Sequence, residues 1–414
     1  MPETLRRRLA GLAQGQPCDV LTMSAVAFCV ALGFGVVAPA IPLFATQFGV
    51  SASAAGAVVS AFALLRFVSG LGAGRLVDVI GVRSSLVAGI ALVAVSSLLA
   101  GLSQSYVQLL VLRGIGGAGS AVFGVAAISV VLHAAATQRR AQAMSVYRSG
   151  FLLGGIVGPG VGGAVLGLSL RAPFFLYAGT LALAGAVALA FLKTVPSEPA
   201  EAPDLDPAGA EPDPPAEPEV VAMPGLRGVL ATRQYQVALV TNLAIGLVVF
   251  GLRSTVVPLL VVDQLGAARF WVGVAFLISA LVQTALMLPA GRFADTTGRR
   301  PALVVGSAVS ATGLALLAVG GSLALAVAAM AVFGAGSSFF GAVPGALVGD
   351  VVGGRSGIVV AVFNMASDLG AVVGPVLAGF LVDNVSFGAA FGLGAVVVVA
   401  AGLFALRLPP AAAG

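Results

Sequence analysis

Five charged side chains lie well inside long apolar stretches of the sequence, and they are the residues best suited to chemistry. They are Arg66, Arg113, Arg148, Arg253 and Asp368. A charge is costly in a low-dielectric interior, so such groups usually pair with one another or serve a function. Asp368 is the only carboxylate among them. Burial favours its neutral form and a neighbouring guanidinium favours its charged form, so its proton affinity can depend on whether an arginine contacts it.

The chemistry predicted for Asp368 is therefore reversible proton binding. A candidate partner is Arg66, which lies about midway along its apolar stretch, as Asp368 does along its own. Asn364 lies one helical turn before Asp368 and would share its face. The alternative interpretation of Asp368 is a static buried ion pair without a proton-coupling role.

Catalytic and metal chemistry is not predicted from this sequence. His133 is the only histidine, and there is no His-Glu-x-x-His motif. The two cysteines, Cys18 and Cys29, are close together in one apolar stretch and do not suggest a disulfide framework or a metal site. We expect neither an enzyme nor a metal centre, and no cofactor.

The elements that carry these charges are predicted to be membrane-spanning helices. The chain has 414 residues, of which 59% are hydrophobic and 9% charged, against about 25% charged in soluble proteins. Continuous apolar runs without alternation indicate helices rather than barrel strands. Twelve runs predict an all-α membrane protein with spans near 20–45, 53–77, 84–103, 106–133, 141–168, 172–193, 234–262, 270–291, 301–320, 323–350, 357–382 and 386–406.

The domain organisation follows from composition and basic residues. We predict an N-tail at 1–19, six spans at 20–193, a disordered acidic and Pro-rich linker at 194–233, six spans at 234–406 and a C-tail at 407–414. Fifteen of the 21 Lys and Arg fall in the tails and even-numbered connections, which predicts that both termini are cytoplasmic. This bias is sufficient to account for the net charge of +5, so no nucleic-acid partner is expected.

The two halves repeat each other. Residues 74–83 read GRLVDVIGVR and residues 291–300 read GRFADTTGRR, each between two apolar runs. Further matches at offsets of 216 or 217 residues pair GAGSAVFG with GAGSSFFG and GGIVGPGVGG with GAVVGPVLAG. Matched segments at one offset predict a duplicated membrane protein with two six-helix bundles.

On these motifs the sequence resembles the major facilitator superfamily over essentially its whole length. The first loop motif departs from the family pattern at Val79 and Val82, which replace residues that are usually basic. The resemblance implies a gating function, as a cytoplasmic latch, for the loop-motif residues Gly74, Asp78, Gly81, Arg83, Gly291, Asp295, Gly298, Arg299 and Arg300.

The fifth segment resembles the corresponding motif of the twelve-span drug:proton antiporters. Gly154, Gly158, Pro159, Gly162 and Gly163 carry the likeness, and Gly374 and Pro375 repeat part of it in segment 11. Gly-Pro in mid-span permits a helix bend, whereas glycines on one face also serve plain helix packing. Both interpretations of these residues remain open.

The resemblance implies an alternating-access transporter of the bacterial plasma (inner) membrane, most simply a proton-coupled multidrug or metabolite efflux antiporter. Segments 2 and 11 would meet between the bundles, which brings Arg66 to Asp368, and Arg113 matches the family arginine implicated in proton transfer. Segment 1 lacks the acid common in drug exporters. The predicted substrate cavity comprises Arg113, Arg253, Asn364, Phe34, Phe250 and Phe339.

With four arginines and one aspartate in the spans, the expected substrate is a neutral, zwitterionic or anionic small molecule with an apolar body. The expected partners are this substrate and membrane lipid, the energy source is the proton gradient, and a monomer suffices. Uptake or exchange of a specific metabolite, and lipid translocation, remain the alternative functions.

Overall fold

The chain folds into twelve long helices, as the hydropathy pattern predicts. The computed structural model describes residues 18–135, 139–192, 226–352 and 357–409. Twelve helices in these ranges are long and apolar enough to cross a membrane. They are α1 Cys18–Thr46, α2 Ala52–Ile80, α3 Val82–Leu102, α4 Tyr106–Ala134, α5 Arg140–Leu168, α6 Ala172–Phe191, α7 Arg233–Gln264, α8 Phe270–Thr296, α9 Arg299–Val319, α10 Leu323–Val352, α11 Gly357–Asn384 and α12 Phe387–Ala405.

Two of these helices are irregular, which the sequence does not predict. α1 is interrupted between Val37 and Ala40, next to Pro39. α7 contains two π-helical segments, Gly246–Leu252 and Leu260–Gln264, on either side of a regular turn that contains Pro258. A proline lacks the N–H that continues the α-helical hydrogen-bond series, which accounts for irregular geometry near each of these prolines.

The predicted linker is helical at its end. Residues 193–225 lie outside the described ranges, but Leu226–Ala231 form a short helix just before α7. Val229 of this helix is 5% exposed and belongs to the hydrophobic core, so an apolar contact holds it on the C-terminal bundle. The segment predicted to be disordered, 194–233, therefore includes a helix near its end.

Glycines set the close packing inside each bundle. A Cβ added at Gly154 or Gly158 would come within 2.6 Å of a backbone oxygen of α1. A Cβ at Gly370 or Gly374 would approach α7 as closely, at 2.3 and 2.4 Å. These glycines let helix backbones touch, which is the usual mode of helix association in lipid.

Candidate functional site

The functional residues concentrate where the two bundles meet. α2 packs against α11 and α5 packs against α8, so each contact joins the N-terminal bundle to the C-terminal one. We call the side on which α1 begins and α12 ends the terminal face, and the other side the opposite face. The positive-inside pattern predicts that the terminal face is cytoplasmic.

Near the opposite face the bundles are in direct contact. The Ser60 hydroxyl of α2 donates to the carbonyl of Val372 of α11 at 2.6 Å. A Cβ at Gly56 would lie 2.3 Å from the Pro375 carbonyl oxygen, so only glycine permits this approach of α2 to α11. α5 and α8 meet in the same way, because a Cβ at Gly273 would lie 2.0 Å from the Cα of Gly163.

Toward the terminal face the same helices separate. Gly74 follows Gly56 by eighteen residues, which is five full turns of an α-helix, so both glycines lie on one face of α2. Yet a Cβ at Gly74 would meet nothing within 4 Å, and the same is true of Gly291 in α8. Val79, near the end of α2, is 85% exposed. The structure thus has a cleft between the bundles that is closed at the opposite face and open at the terminal face.

Arg66 and Asp368 lie where the contact ends and the cleft begins. Nη2 of Arg66 donates to Oδ1 of Asp368, and this ion pair joins α2 to α11. The side chains are 45% and 17% exposed, respectively, so the pair is partly accessible from the cleft. The predicted contact between these residues is present, while a role in proton coupling stays a prediction.

Arg113 is not part of this ion pair. It is 2% exposed, and its guanidinium carbon lies 4.6 Å above the Phe62 ring of α2. Its Nε and Nη1 atoms have no hydrogen-bond partner among the described residues. Arg113 also lies near Tyr177 of α6. Of the three predicted proton-coupling residues, the structure brings two together.

Arg253 has a similar environment in the other bundle. Its guanidinium carbon lies 5.2 Å from the Phe276 ring of α8 and 5.7 Å from the Phe333 ring of α10. Its Nε also lacks a hydrogen-bond partner among the described residues. Stacking on aromatic faces offsets part of the cost of burying each guanidinium. The N-terminal bundle therefore holds a buried arginine and the C-terminal bundle a half-buried one, neither with a carboxylate partner in the described part of the chain.

The other predicted cavity residues divide into two groups. Phe34 and Phe250 are 37% and 48% exposed, and they occupy matching positions in the two halves at an offset of 216. Asn364 is also exposed, one turn from Asp368. Phe339 instead packs against Phe293 of α8, with ring centroids 6.0 Å apart, and against Gly306 of α9. Its contacts thus lie inside its own bundle, and the cavity assignment of Phe339 stays a prediction.

The predicted latch residues lie at the terminal face. Asp78 is exposed and forms no ion pair with a described residue, whereas Arg83 donates to the carbonyl of Leu189 at the end of α6, at 2.8 Å. In the second copy, Arg299 contacts Asp295 at 2.7 Å and Asp350 at 3.6 Å, both within the C-terminal bundle. These three contacts, made by Arg83 and Arg299 in the described part of the chain, each lie within one bundle.

Two latch glycines have a backbone reason to be glycine. Gly81 and Gly298, at an offset of 217, have φ angles of +89° and +105° in the turns after α2 and α8. Side chains other than glycine rarely adopt this geometry. Arg300, which follows in α9, is half-buried.

The Gly-Pro motifs serve packing in this structure. α5 continues as a helix through Pro159, and α11 continues through Pro375. Gly162 lies against Val36 of α1, whereas Gly163 contacts α8 across the bundle interface. The bending role remains a prediction.

Sequence reasoning missed one residue at the interface. Asp383, at the end of α11, accepts hydrogen bonds from the backbone N–H groups of Ala52 and Ser53 of α2, each at 2.8 Å. An acid in the last turn of a predicted helix indicates capping or contact with solvent. A hydrogen bond from that acid to the backbone of the other bundle cannot be predicted, because it leaves no pattern in the sequence.

Comparison with curated proteins gives partial matches to resistance proteins. Multidrug resistance protein 2 of Bacillus subtilis (strain 168) is 32% identical over 165 residues, 40% of this chain and 41% of that protein. Quinolone resistance protein NorA of Staphylococcus aureus (strain MRSA252) is 28% identical over 172 residues, 41% of this chain and 42% of that protein. These alignments span less than half the length of either relative.

Solved structures with the same fold align over nearly the whole chain. The nucleoside transporter NupG has a TM-score of 0.71 at 14% identity, covering 94% of this chain and 100% of that one. An inward-facing, unoccupied bacterial homologue of the human lysosomal transporter Spinster has a TM-score of 0.68 at 14% identity, covering 94% of each chain. Such low identity supports the fold alone.

The sequence profile described as Major Facilitator Superfamily matches residues 23–267 and 238–414. Because these matches include both bundles and the interface between them, the chain belongs to the major facilitator superfamily, and it is a multi-pass membrane transporter rather than an enzyme.

Proposed function

We propose that this transporter is a proton-coupled exporter of small amphiphilic compounds that works by alternating access. The observation that carries the proposal is the ion pair between Arg66 and Asp368. It joins the two bundles at the closed end of the cleft, and it is partly exposed to that cleft. The partial likeness to multidrug and quinolone resistance proteins supports export.

In this mechanism the proton acts on the bundle interface. Protonation of Asp368 removes its negative charge, so the attraction to Arg66 is lost and the contact between α2 and α11 weakens. In an exporter driven by an inward proton gradient, substrate binding opens the opposite face, which separates the pair and lets Asp368 take up a proton from that side. The protonated protein then returns to the conformation open at the terminal face, where the approach of Arg66 favours the carboxylate and the proton leaves on that side. Coupling requires that substrate and proton favour different steps of this cycle.

The charge of the cleft favours a substrate that is neutral, zwitterionic or anionic. Arg113 is buried and Arg253 half-buried, neither with a carboxylate partner among the described residues, and the one mid-span carboxylate is paired with Arg66. Phe34 and Phe250 supply exposed aromatic surface from both bundles for an apolar body. Asn364 adds a polar group beside Asp368.

Two alternative transport functions would make different use of the cleft. An uptake or exchange permease for one metabolite would use the same rocking motion with substrate entering from the opposite face. A lipid-moving transporter would need a cleft that opens sideways to the bilayer. A panel of unrelated compounds separates these alternatives from an exporter of broad range.

The first experiment is a compound-resistance panel in an efflux-deficient bacterial host. It compares the intact protein with Asp368→Asn, and with Asp263→Asn as a matched control in the exposed end of α7, at equal expression. The proposal predicts resistance to some compounds that disappears with Asp368→Asn and persists with Asp263→Asn. Resistance that persists in both would retain export and exclude Asp368 as the proton site. Absence of any resistance favours a dedicated metabolite or lipid substrate.

We also propose that the protein lies in the bacterial plasma membrane as a monomer, with both termini cytoplasmic and the proton gradient as its energy source. The arginine bias of the terminal face supports this orientation. Reporter fusions after Leu408 and in the 104–105 connection would test it. A cytoplasmic reporter active only at the first position is expected, and the reverse pattern would contradict it.

A further inference from the structure

Asp383 makes a two-pronged contact with the start of α2. Its Oδ1 accepts from the N–H of Ala52 and its Oδ2 from the N–H of Ser53, both at 2.8 Å. These are the first two residues of the helix, whose N–H groups have no partner within it. The carboxylate also lies at the positive end of the α2 dipole. The contact therefore has the features of a strong helix cap.

This cap comes from the other bundle. Asp383 belongs to α11, so its hydrogen bonds can exist only while α2 and α11 are together at the opposite face. α2 already has a cap of its own, because the Ser51 hydroxyl accepts from the N–H of Ala54. The helix does not need Asp383 in order to begin, so the energy of the contact is available to hold the two bundles together.

α2 and α11 have a reciprocal arrangement of acids. The two helices run in opposite directions, and each carries an aspartate in its last turn, Asp78 in α2 and Asp383 in α11. Each aspartate therefore lies at the face where the other helix begins. Asp383 accepts hydrogen bonds from the start of α2, whereas Asp78 forms no ion pair with a described residue. Rocking of the bundles about the Arg66–Asp368 region would separate one acid from its helix start as it brings the other close.

From this geometry we infer that Asp383 is a gating residue of the transport cycle. Its cap on α2 stabilises the conformation that is closed at the opposite face and open at the terminal face. The inference rests on the proposed alternating access, but on neither the substrate nor the proton site. Asp78 would stabilise the other conformation by the same physics, so the population of the two states depends on the difference between the two contacts.

Distances between spin labels on the full-length protein in lipid nanodiscs test this inference. Cys18 and Cys29 are first replaced with serine. One label pair at the opposite face uses Leu168 and Val319, which are 85% and 79% exposed and belong to different bundles. A second pair at the terminal face uses Phe191 and Leu403, which are 62% and 61% exposed.

Removing the cap should change the populations of the two states. A capping side chain is typically worth about 0.5–2 kcal/mol, so Asp383→Ala should raise the ratio of opposite-face-open to terminal-face-open molecules by about twofold to thirtyfold. Asp383→Asn keeps an acceptor and should give a smaller change. Asp78→Ala should move the ratio in the other direction. Asp263→Ala, an exposed acid near the same face, is the matched control and should have no effect.

The outcomes separate the inference from the function on which it rests. If both states are populated but Asp383→Ala behaves like Asp263→Ala, the gating role of Asp383 is wrong and alternating access stands. If each label pair gives one unchanged distance in every variant, at every pH and with every compound of the panel, alternating access itself fails. If Asp383→Ala does not fold, Asp383→Asn and Asp78→Ala still test the inference. They should shift the ratio of the two conformations in opposite directions, which a general folding defect cannot do.

Discussion

Replacing Gly74 with leucine should stop transport without affecting folding. In the present conformation a Cβ at Gly74 would meet nothing within 4 Å, so the larger side chain fits into the open cleft. Gly56, five turns earlier on the same face of α2, indicates what happens when α2 and α11 close. There a Cβ would lie 2.3 Å from the Pro375 carbonyl oxygen, which is a severe clash with backbone. Closure at the terminal face should produce the same kind of clash with the side chain introduced at position 74.

The magnitude follows from the cost of overpacking. Forcing extra methylene groups into a packed interface costs typically about 1–3 kcal/mol. A cost of about 3 kcal/mol lowers the population of the terminal-face-closed state by about 150-fold, since each 1.4 kcal/mol is a factor of ten. A transporter that must visit this state in every cycle should lose nearly all of its activity.

The assay compares Gly74→Leu with Gly72→Leu. Gly72 also has open space around it, but it is two residues away and so points to the far side of α2. Both variants should express and melt like the intact protein, whereas only Gly74→Leu should lose transport. Native transport by Gly74→Leu would refute the closure of α2 on α11 at the terminal face. A fall in melting temperature for Gly74→Leu alone would mean that this face is already packed.

Three further predictions concern other parts of the site. Gly81→Ala should destabilise the fold by about 1–2 kcal/mol because the φ angle of Gly81 is +89°. Thermal unfolding should detect this loss, whereas the control Gly179→Ala, in the interior of α6, should be neutral or stabilising. A double-mutant cycle on thermal stability with Arg66→Met and Asp368→Leu should give a coupling of about 1 kcal/mol, since Arg66 is 45% exposed; additive effects would contradict a stabilising pair. Arg113→Ala should lower transport of anionic compounds by about tenfold and spare cationic analogues, and the charge hypothesis fails if transport is confined to lipophilic cations and survives the substitution.

The helices are predictable because a continuous run of apolar residues indicates directly which segments lie in lipid rather than in water. The sequence predicts α4 at 106–133, and the structure has it at Tyr106–Ala134. The π-helical segments of α7 are not predictable in this way, because an apolar run looks the same whichever hydrogen-bond period it adopts. The helical end of the linker escapes prediction because its few apolar residues follow a long polar stretch.

The site is predictable where charge and depth identify it. Arg66 and Asp368 are at similar depths on helices that this fold places together, and that is sufficient to predict their contact. Depth alone does not reveal that Arg113 stacks on Phe62 of α2, since that depends on helix rotation. The packing of Phe339 against Phe293 depends on helix rotation in the same way.

The two bundle interfaces are equivalent in backbone and different in charge. Gly56 approaches the carbonyl of Pro375, and at matching offsets Gly273 approaches the carbonyl of Pro159. The duplication thus built the same close contact twice.

Among the described residues, an ion pair and an aspartate contact join α2 to α11. In the interface of α5 with α8, the positions that match Arg66 and Asp368 are Gln283 and Leu152. An interface held by glycine packing keeps its strength when the proton concentration changes, whereas an interface held by an ion pair does not. Under the proposed cycle, protonation of Asp368 would therefore weaken the α2–α11 interface and leave the glycine packing of α5 on α8 unaffected.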